Sequence, residues 1–441
     1  MSASSGPGTL DDLVDLLDES PGAQRGSGRA GRIALVTFVV VVLMVLAGGG
    51  GYMWWASSAA LPAPTVTSEA SAVAPGAPAA IALPAEGAML VSVAGGEDYL
   101  GPDAAGAFAS SGGNDPRPLA SVTKLITAMV VLDAHPLDGP NDPGPTISFT
   151  KADTDLYDQF YVQGVTIARM PDGTSMSQRD AMATMLLPSA SNYAVALARW
   201  GFGSEGAFVQ AARSWLSAKG LNDTRIVDAT GVDERNSSTP GDLVALGRLA
   251  AADPVIATLT ATRSISVVGP GTVTNTNDLL GTLGVNGLKT GNLGDGLFNL
   301  LFTSTLDVGV SGPLKITGVR MGGATHDSTD ADVRALLQSI EDGFHDVSVG
   351  RLGDEVGTIT TPWGSTATIV LAKNAALRTW SDTPVAASLV TVAPRSYADG
   401  EVVGTVTWTA GPNTASADVK ISGTIEEPTL WWRLTHPGDL G

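Results

Sequence analysis

The chain has 441 residues, 44% of them hydrophobic, and its 44 acidic against 25 basic side chains give a formal net charge of −19. That length excludes a single small module, and an acidic balance without any basic block excludes non-specific nucleic-acid binding, which needs a cationic face for phosphates. Cysteine is absent and the four histidines, His135, His326, His345 and His436, show no ligand spacing, so neither a disulfide, nor a metal centre, nor another cofactor is expected.

Residues 1–32 hold a short acidic amphipathic piece, LDDLVDLLDES, among Gly and Ser; it cannot bury enough apolar surface to fold alone and is expected to be a disordered cytoplasmic tail. Residues 33–55, IALVTFVVVVLMVLAGGGGYMWW, carry no charge and are long enough to cross a bilayer as a helix. Arg25, Arg29 and Arg32 precede this run, and Tyr52, Trp54 and Trp55 end it. Basic residues inside and aromatic residues at the far interface predict a single-pass transmembrane helix with everything after it outside the cytoplasm. Small residues at 56–59 leave a competing reading, a signal peptide cleaved to release a secreted protein. The Ala, Pro, Ser and Thr of residues 56–82 read as an extended linker.

Folded structure is expected to begin with the strand pattern GAMLVSVAG, and residues 83–350 mix helix-like and strand-like segments. Helical periodicity predicts helices at 120–134, 178–187, 192–200, 206–219, 241–252 and 330–342. The second starts with a capping pattern, Ser177 followed by Asp180. ISVVG, LFNLLFTST and LKITGVRMG read as strands, the last two adjacent in one sheet. The class is therefore α/β, a sheet with helices packed on it and no regular βα alternation. From about Glu355 the pattern becomes alternating: in EVVGTVTWTAG, Val402, Val406 and Trp408 interleave with threonines. Residues 351–441 are thus expected to form a small antiparallel all-β domain, with Trp431 and Trp432 closing its core in preference to the alternative, contact with the membrane.

One polar pair stands out in an apolar run. LASVTKLITAMVVLD puts Ser121 and Lys124 three residues apart, on the same face of a helix. A serine hydroxyl becomes a nucleophile when a base takes its proton, and a lysine is such a base once desolvation lowers its pKa. The apolar residues 125–132 supply that desolvation. A capping serine beside a snorkelling lysine is the plain alternative. Two further motifs follow in order: LLPSASNYAVALARW from Leu186 and VNGLKTGNLGDG from Val285.

SxxK, an S-x-N-like turn and KTG in that order are the signature of penicillin-recognising serine enzymes. From about Gly87 to Phe344 the chain resembles the low-molecular-mass penicillin-binding proteins, the serine-type D-alanyl-D-alanine carboxypeptidases. The resemblance extends to GLNDTRIVDATGVDERNSSTPGDLVAL and to NTNDLL before KTG. It implies a β-lactamase/penicillin-binding-protein-like catalytic domain, an antiparallel sheet with a helical cluster. It also implies a bacterial cell-membrane enzyme that takes the terminal D-alanine from peptidoglycan stem pentapeptides and is acylated by β-lactams. Carried over by motif, Ser121 is the nucleophile, Lys124 the general base and Ser189 a proton relay. Lys289 raises the local positive potential and Thr290 holds the substrate carboxylate. Gly291, lacking a side chain, lets a peptide lie against the strand. Backbone N–H groups of Ser121 and of Leu293 form the oxyanion hole.

Two departures qualify the resemblance. Ser191 stands where the family usually has asparagine, with Asn192 one residue late; Asn192 either replaces the missing amide or caps the following helix. After KTG the chain reads NLGDGLF, and no arginine occupies its usual place in GGATHDSTDADVRALL. His326 and Arg334 are the basic residues there that could serve in its stead, although each is expected to be an ordinary surface residue. The rival readings are a wall-binding or partner-binding protein that lost turnover, and a β-lactamase, which would need a water-activating carboxylate in an ExxLN pattern that is missing.

Overall fold

In a computed structural model that describes residues 28–441 except 71 and 295, residues Gly28–Ser58 form one helix, α1. The tail expected at 1–32 lies, through residue 27, outside the described residues. α1 is long and apolar enough to cross a membrane. It is apolar all round, the pattern of a helix that faces lipid or core on every side.

The next elements are strands β1 (Thr65–Ser68), β2 (Ala88–Ala94) and β3 (Ala109–Ser111), then helices α2 (Thr123–Ala134), α3 (Lys151–Val162), α4 (Gln178–Leu186), α5 (Ser191–Phe202), α6 (Glu205–Ala218), α7 (Pro240–Ala252) and α8 (Pro254–Ala261). Strands β4 (Val285–Asn292), β5 (Phe298–Leu306) and β6 (Leu314–Gly323) precede helix α9 (His326–Asp342). β2 to β6 form one antiparallel sheet in the order β4-β5-β6-β2-β3. This is the fold class the sequence implies. β5 is buried along most of its length because both faces are covered, which explains its near-continuous apolar run. Leu301 on one face joins the core under α2 and α4–α8, while Leu300 and Phe302 on the other pack with Leu336, Leu337 and Ile340 of α9. Each such side chain contributes about 1.5–3 kcal/mol of burial.

Local sequence accounts for the helix starts. Thr239 accepts a hydrogen bond from the Asp242 N–H ahead of Pro240 in the first turn of α7, and Ser177 accepts one from Asp180 N–H at the start of α4. α3 is held at its start by a reciprocal capping box between Thr150 and Asp153. Its many aspartates hide the apolar stripe, since only Leu156 is fully buried.

The last part holds β7 (Phe344–Gly350), β8 (Glu355–Thr360), β9 (Thr366–Leu371), β10 (Ala375–Trp380), β11 (Ala386–Thr391), β12 (Val402–Ala410), β13 (Asn413–Ser422) and α10 (Leu430–Thr435). Six strands pair in the order β1-β8-β9-β13-β12-β11, and β7 pairs with β10. Ile359, Ile369, Val406, Trp408, Val419 and Ile421 fill their core together with Val347 and Val349 of β7. β7 therefore bridges two cores, because its Phe344 packs with Leu336, Leu337 and Ile340 of α9 while Val347 and Val349 pack with the C-terminal strands. The linker expected at 56–82 is not a free tether. β1 extends the C-terminal sheet beside β8, and the Ala79 and Ala82 N–H groups donate to Ser381 Oγ and Ser339 Oγ. Trp431 and Trp432 do not close the β core: α10 has no buried residue and Trp431 is 74% exposed.

Candidate active site

Ser121 lies in a single 3-10 turn, Ala120–Val122, that leads directly into α2. Ala120 holds a left-handed φ of 51°, a conformation that costs a non-glycine residue about 1–2 kcal/mol and persists only where packing enforces it. Two glycines make the enforcing contacts. A Cβ on Gly231, whose φ is +80°, would stand 1.8 Å from the Ala120 carbonyl oxygen, and one on Gly291 would stand 2.9 Å from the Leu119 oxygen and 3.1 Å from Ala120 Cβ. Gly291 is therefore small because the serine turn presses on β4, a different reason from the open substrate path expected from sequence. Asn299 of β5 completes the fixing: its Nδ2 donates to the Pro118 and Leu119 carbonyls and its Oδ1 accepts the Gly322 N–H.

Lys124 follows one turn later and is fully buried. Its Nζ lies 2.8 Å from Ser121 Oγ and donates to the Thr230 carbonyl at 2.8 Å. Burial lowers its pKa to about 7, against the opposing charge of Asp228. The Thr230 carbonyl is aimed by a tight loop, in which the Asp228 carboxylate accepts the N–H groups of Thr230, Gly231 and Asp233. Thr127 of α2 donates to the Ala229 carbonyl of the same loop at 2.7 Å. The loop was present in the sequence as DATGVD, an Asx-turn composition, although no role could be read from it.

Ser189 and Ser191 form the second wall. Ser189 has a left-handed φ of 67° in the turn before α5, and its Oγ and that of Ser191 are buried without a hydrogen-bond partner among the described residues. Unpaired buried hydroxyls facing a cleft are poised for a ligand, since leaving each unsatisfied costs about 1–3 kcal/mol. Asn192 is not brought to this wall. Its amide is consumed by Ala168, donating to that residue's carbonyl at 2.8 Å and accepting its N–H at 3.1 Å. It therefore neither supplies the amide missing at Ser191 nor caps α5.

β4 forms the third wall and is the sheet's edge, paired only with β5. Lys289 is buried, with Nζ 3.1 Å from the Thr290 carbonyl oxygen. Burial, then the charge of Lys124, pushes its pKa well below the ordinary lysine value, so it is a weaker source of positive potential than the sequence implied. Thr290 Oγ1 is 2.6 Å from Thr276 Oγ1. The Leu293 N–H points inward to the Leu297 carbonyl at 3.4 Å, which removes it from the oxyanion role expected of it. Strand alternation then turns the N–H of the preceding residue, Asn292, toward the free edge.

These walls enclose a cleft of about 690 Å³, lined among others by Ser121, Ser189, Thr290, Asn292 and His326. His326, expected at the surface, starts α9 with Nε2 3.0 Å from the Thr276 carbonyl oxygen and Nδ1 3.6 Å from Asp330 Oδ1. The Asp330 carboxylate holds its pKa up at about 9 against partial burial, so at neutral pH it presents a cation to the cleft. Arg334, the other basic residue of this segment, is exposed and does not line it. No group of three or more metal-ligating side chains occurs among the described residues. Chemically, the cleft pairs a hydroxyl with a desolvated amine, adds unpaired hydroxyls opposite, and places a cation at one end.

Residues 106–309 match the family described as D-alanyl-D-alanine carboxypeptidase, Peptidase_S11. The chain is 34% identical over 148 residues to a D-alanyl-D-alanine endopeptidase of Escherichia coli, covering 33% of this chain and 44% of that protein. It is 27% identical over 259 residues to D-alanyl-D-alanine carboxypeptidase DacD of Salmonella typhimurium, covering 57% of this chain and 64% of the relative. The matches thus span roughly half the length of these relatives. Among solved structures, penicillin binding protein 6B from Escherichia coli is similar with a TM-score of 0.51 and 20% identity, over 78% of this chain and 95% of that one; this likeness concerns the fold.

Proposed function

We propose, from the match of residues 106–309 to the D-alanyl-D-alanine carboxypeptidase family, that the chain is a serine DD-carboxypeptidase that removes the terminal D-alanine of peptidoglycan stem pentapeptides during cell-wall remodelling. The observation that carries this reading is the 2.8 Å approach of Lys124 Nζ to Ser121 Oγ, with the lysine fully buried and its pKa at about 7. Neutral Lys124 takes the Ser121 proton as Oγ bonds to the carbonyl carbon of the penultimate residue, and the resulting oxyanion is held by the N–H groups of Ser121 and Asn292. Collapse breaks the peptide bond. The proton passes by way of Ser189 to the departing amine, leaving a D-alanine and an acyl ester on Ser121. Water, deprotonated by Lys124, then hydrolyses the ester and restores the serine.

The terminal carboxylate is assigned to Thr290, whose hydroxyl is fixed by Thr276, with the imidazolium of His326 supplying the nearby charge. The unpaired edge of β4 suits an extended peptide laid alongside it. A β-lactam presents the same acyl group and is expected to acylate Ser121 and leave slowly, because neither Glu205 nor Glu234 lines the cleft to activate water. In this reading α1 anchors the enzyme in a bacterial cell membrane with the folded part outside.

Release of D-alanine from a diacetyl-Lys-D-Ala-D-Ala mimic by wild type and by Ser121→Ala tests the assignment. The proposal requires release that the variant abolishes; equal background rates for both would sink it. A second reading, a wall-binding protein without turnover, draws on Ser191 and on an Asn192 already engaged with Ala168. It predicts that same equality of rates together with retained binding of the mimic.

A further inference from the structure

The C-terminal residues meet the C-terminal end of α1. α1 ends at Ser58, and the last residues, 429–441, fold back onto that end. Thr429 caps α10 by accepting the Trp432 N–H. Tyr52 Oη donates to the Leu434 carbonyl at 2.7 Å, Arg433 Nη1 donates to the Ala56 and Ala59 carbonyls at 3.3 and 3.1 Å, and the Gly441 N–H reaches the Ala60 carbonyl at 3.2 Å. Arg433 therefore does for α1 what a C-cap does: a cation sits on the carbonyls that end the helix, where the macrodipole is negative. Ala56 is completely covered. On its other side α10 is tied to the β unit, since Trp432 packs edge-on against Trp363, whose indole N–H donates to the Glu426 carbonyl.

What this joint exposes is aromatic. Trp54 and Trp431 are each 74% exposed, with Leu430 at 47%, and neither tryptophan is needed for the contacts just described. Tryptophan pays least at the boundary between headgroups and acyl chains, where its ring is apolar and its N–H stays hydrated. Trp54 closes an apolar run that begins at Ile33 without a charge, so the position of α1 in a bilayer fixes the height of everything bonded to its end.

We propose that residues 429–441 form a collar on the outer end of α1 that lies in the lipid interface, with Trp431 and Leu430 entering the boundary layer beside Trp54. This inference rests on the anchor reading of α1. The occupant of the aromatic face is the bilayer, because the face is continuous with the end of a lipid-length helix. Two consequences follow. The C-terminal sheet is held at the membrane surface, with only six residues between the end of α1 and the start of β1, and removal of α1 by a signal peptidase would strip the collar of its partners.

The chain has no cysteine, so a single one can be labelled cleanly. Full-length protein carrying Trp431→Cys, Trp54→Cys or Val390→Cys, each with an environment-sensitive fluorophore, is reconstituted in phosphatidylcholine–phosphatidylglycerol vesicles containing doxyl lipid. Position 390, exposed on β11, serves as the aqueous reference. The collar predicts quenching at 431 as strong as at 54 and none at 390. Quenching at 54 without quenching at 431 overturns the collar and leaves the anchor standing. An absence of quenching at 54, or a mature chain whose mass shows cleavage before Ala60, overturns the anchor reading and the collar with it. Adding Arg433→Ala to the 431-labelled chain is expected to abolish its quenching; undiminished quenching would refute the docking on α1 as what seats it.

Discussion

Replacing His326 by glutamine removes a cation from the cleft while keeping an amide donor for the Thr276 carbonyl. The charged groups around the imidazole are Asp330 on its own helix at 3.6 Å and Asp278 before β4 at 4.0 Å, with Lys289 and Lys124 buried behind Thr290. With its pKa at about 9, His326 is charged at neutral pH and loses that charge as the pH rises through 9. The side chain is 39% exposed, so solvent screens it, and its attraction for a substrate carboxylate is worth about 1 kcal/mol, about fivefold in affinity. His326→Gln should raise KM by that factor at pH 7.5 with kcat little changed, and should erase the alkaline decline in kcat/KM expected of the wild type. A substrate amidated at its C-terminus should not distinguish the two proteins. Steady-state kinetics on the free and amidated peptides from pH 6 to 10 measures all three. An alkaline limb that persists near 9 in the glutamine variant would refute the assignment of His326 to the carboxylate.

Lys124 governs the acid side: it must be neutral to accept the Ser121 proton, so with a pKa of about 7 acylation should fall as the pH drops through 7, and Lys124→Met should slow acylation by about 10²–10⁴-fold, read by stopped-flow with a fluorescent penicillin. Asn299→Ala removes the three hydrogen bonds that fix the serine turn to β5 and β6 and should cost about 2–4 kcal/mol, measured by urea denaturation. Gly231→Ala forces apart the DATG loop and Ala120, where the new Cβ would lie 1.8 Å from the carbonyl oxygen; a displacement of about 1 Å at the nucleophile should slow acylation roughly 10²-fold, with the far-UV spectrum unchanged.

Patterns with a strong period were legible in the sequence. Residues 297–305 and 314–322 read as neighbouring strands from their apolar runs, and α4 announced its start through Ser177. α3 did not, because its aspartates hide a stripe whose only fully buried member is Leu156. The SxxK, S-x-S-N and KTG segments do meet in one cleft, yet side-chain direction within them was not readable. Leu293 and Asn292 differ by one residue, and strand alternation turns one N–H inward and the other out. Asn192 points to Ala168 because its helix presents successive residues about 100° apart, which puts it on a different side from Ser191. The supporting residues, Asp228, Thr230, Thr276 and Asn299, come from distant segments and are largely engaged in hydrogen bonds that involve backbone groups, which leaves no local pattern to find. His326 had the composition of a surface residue, and only the packing of α9 against the cleft gives it a role.

The claim at the centre is that Ser121 is a nucleophile activated by Lys124. Incubating the purified chain with benzylpenicillin and weighing the intact protein tests it most directly. The account predicts a mass increase equal to one penicillin, mapped by peptide fragmentation to Ser121 and absent in Ser121→Ala. An unmodified wild-type mass under conditions that fully acylate Escherichia coli penicillin binding protein 6B, or an adduct that survives the alanine substitution, would contradict it.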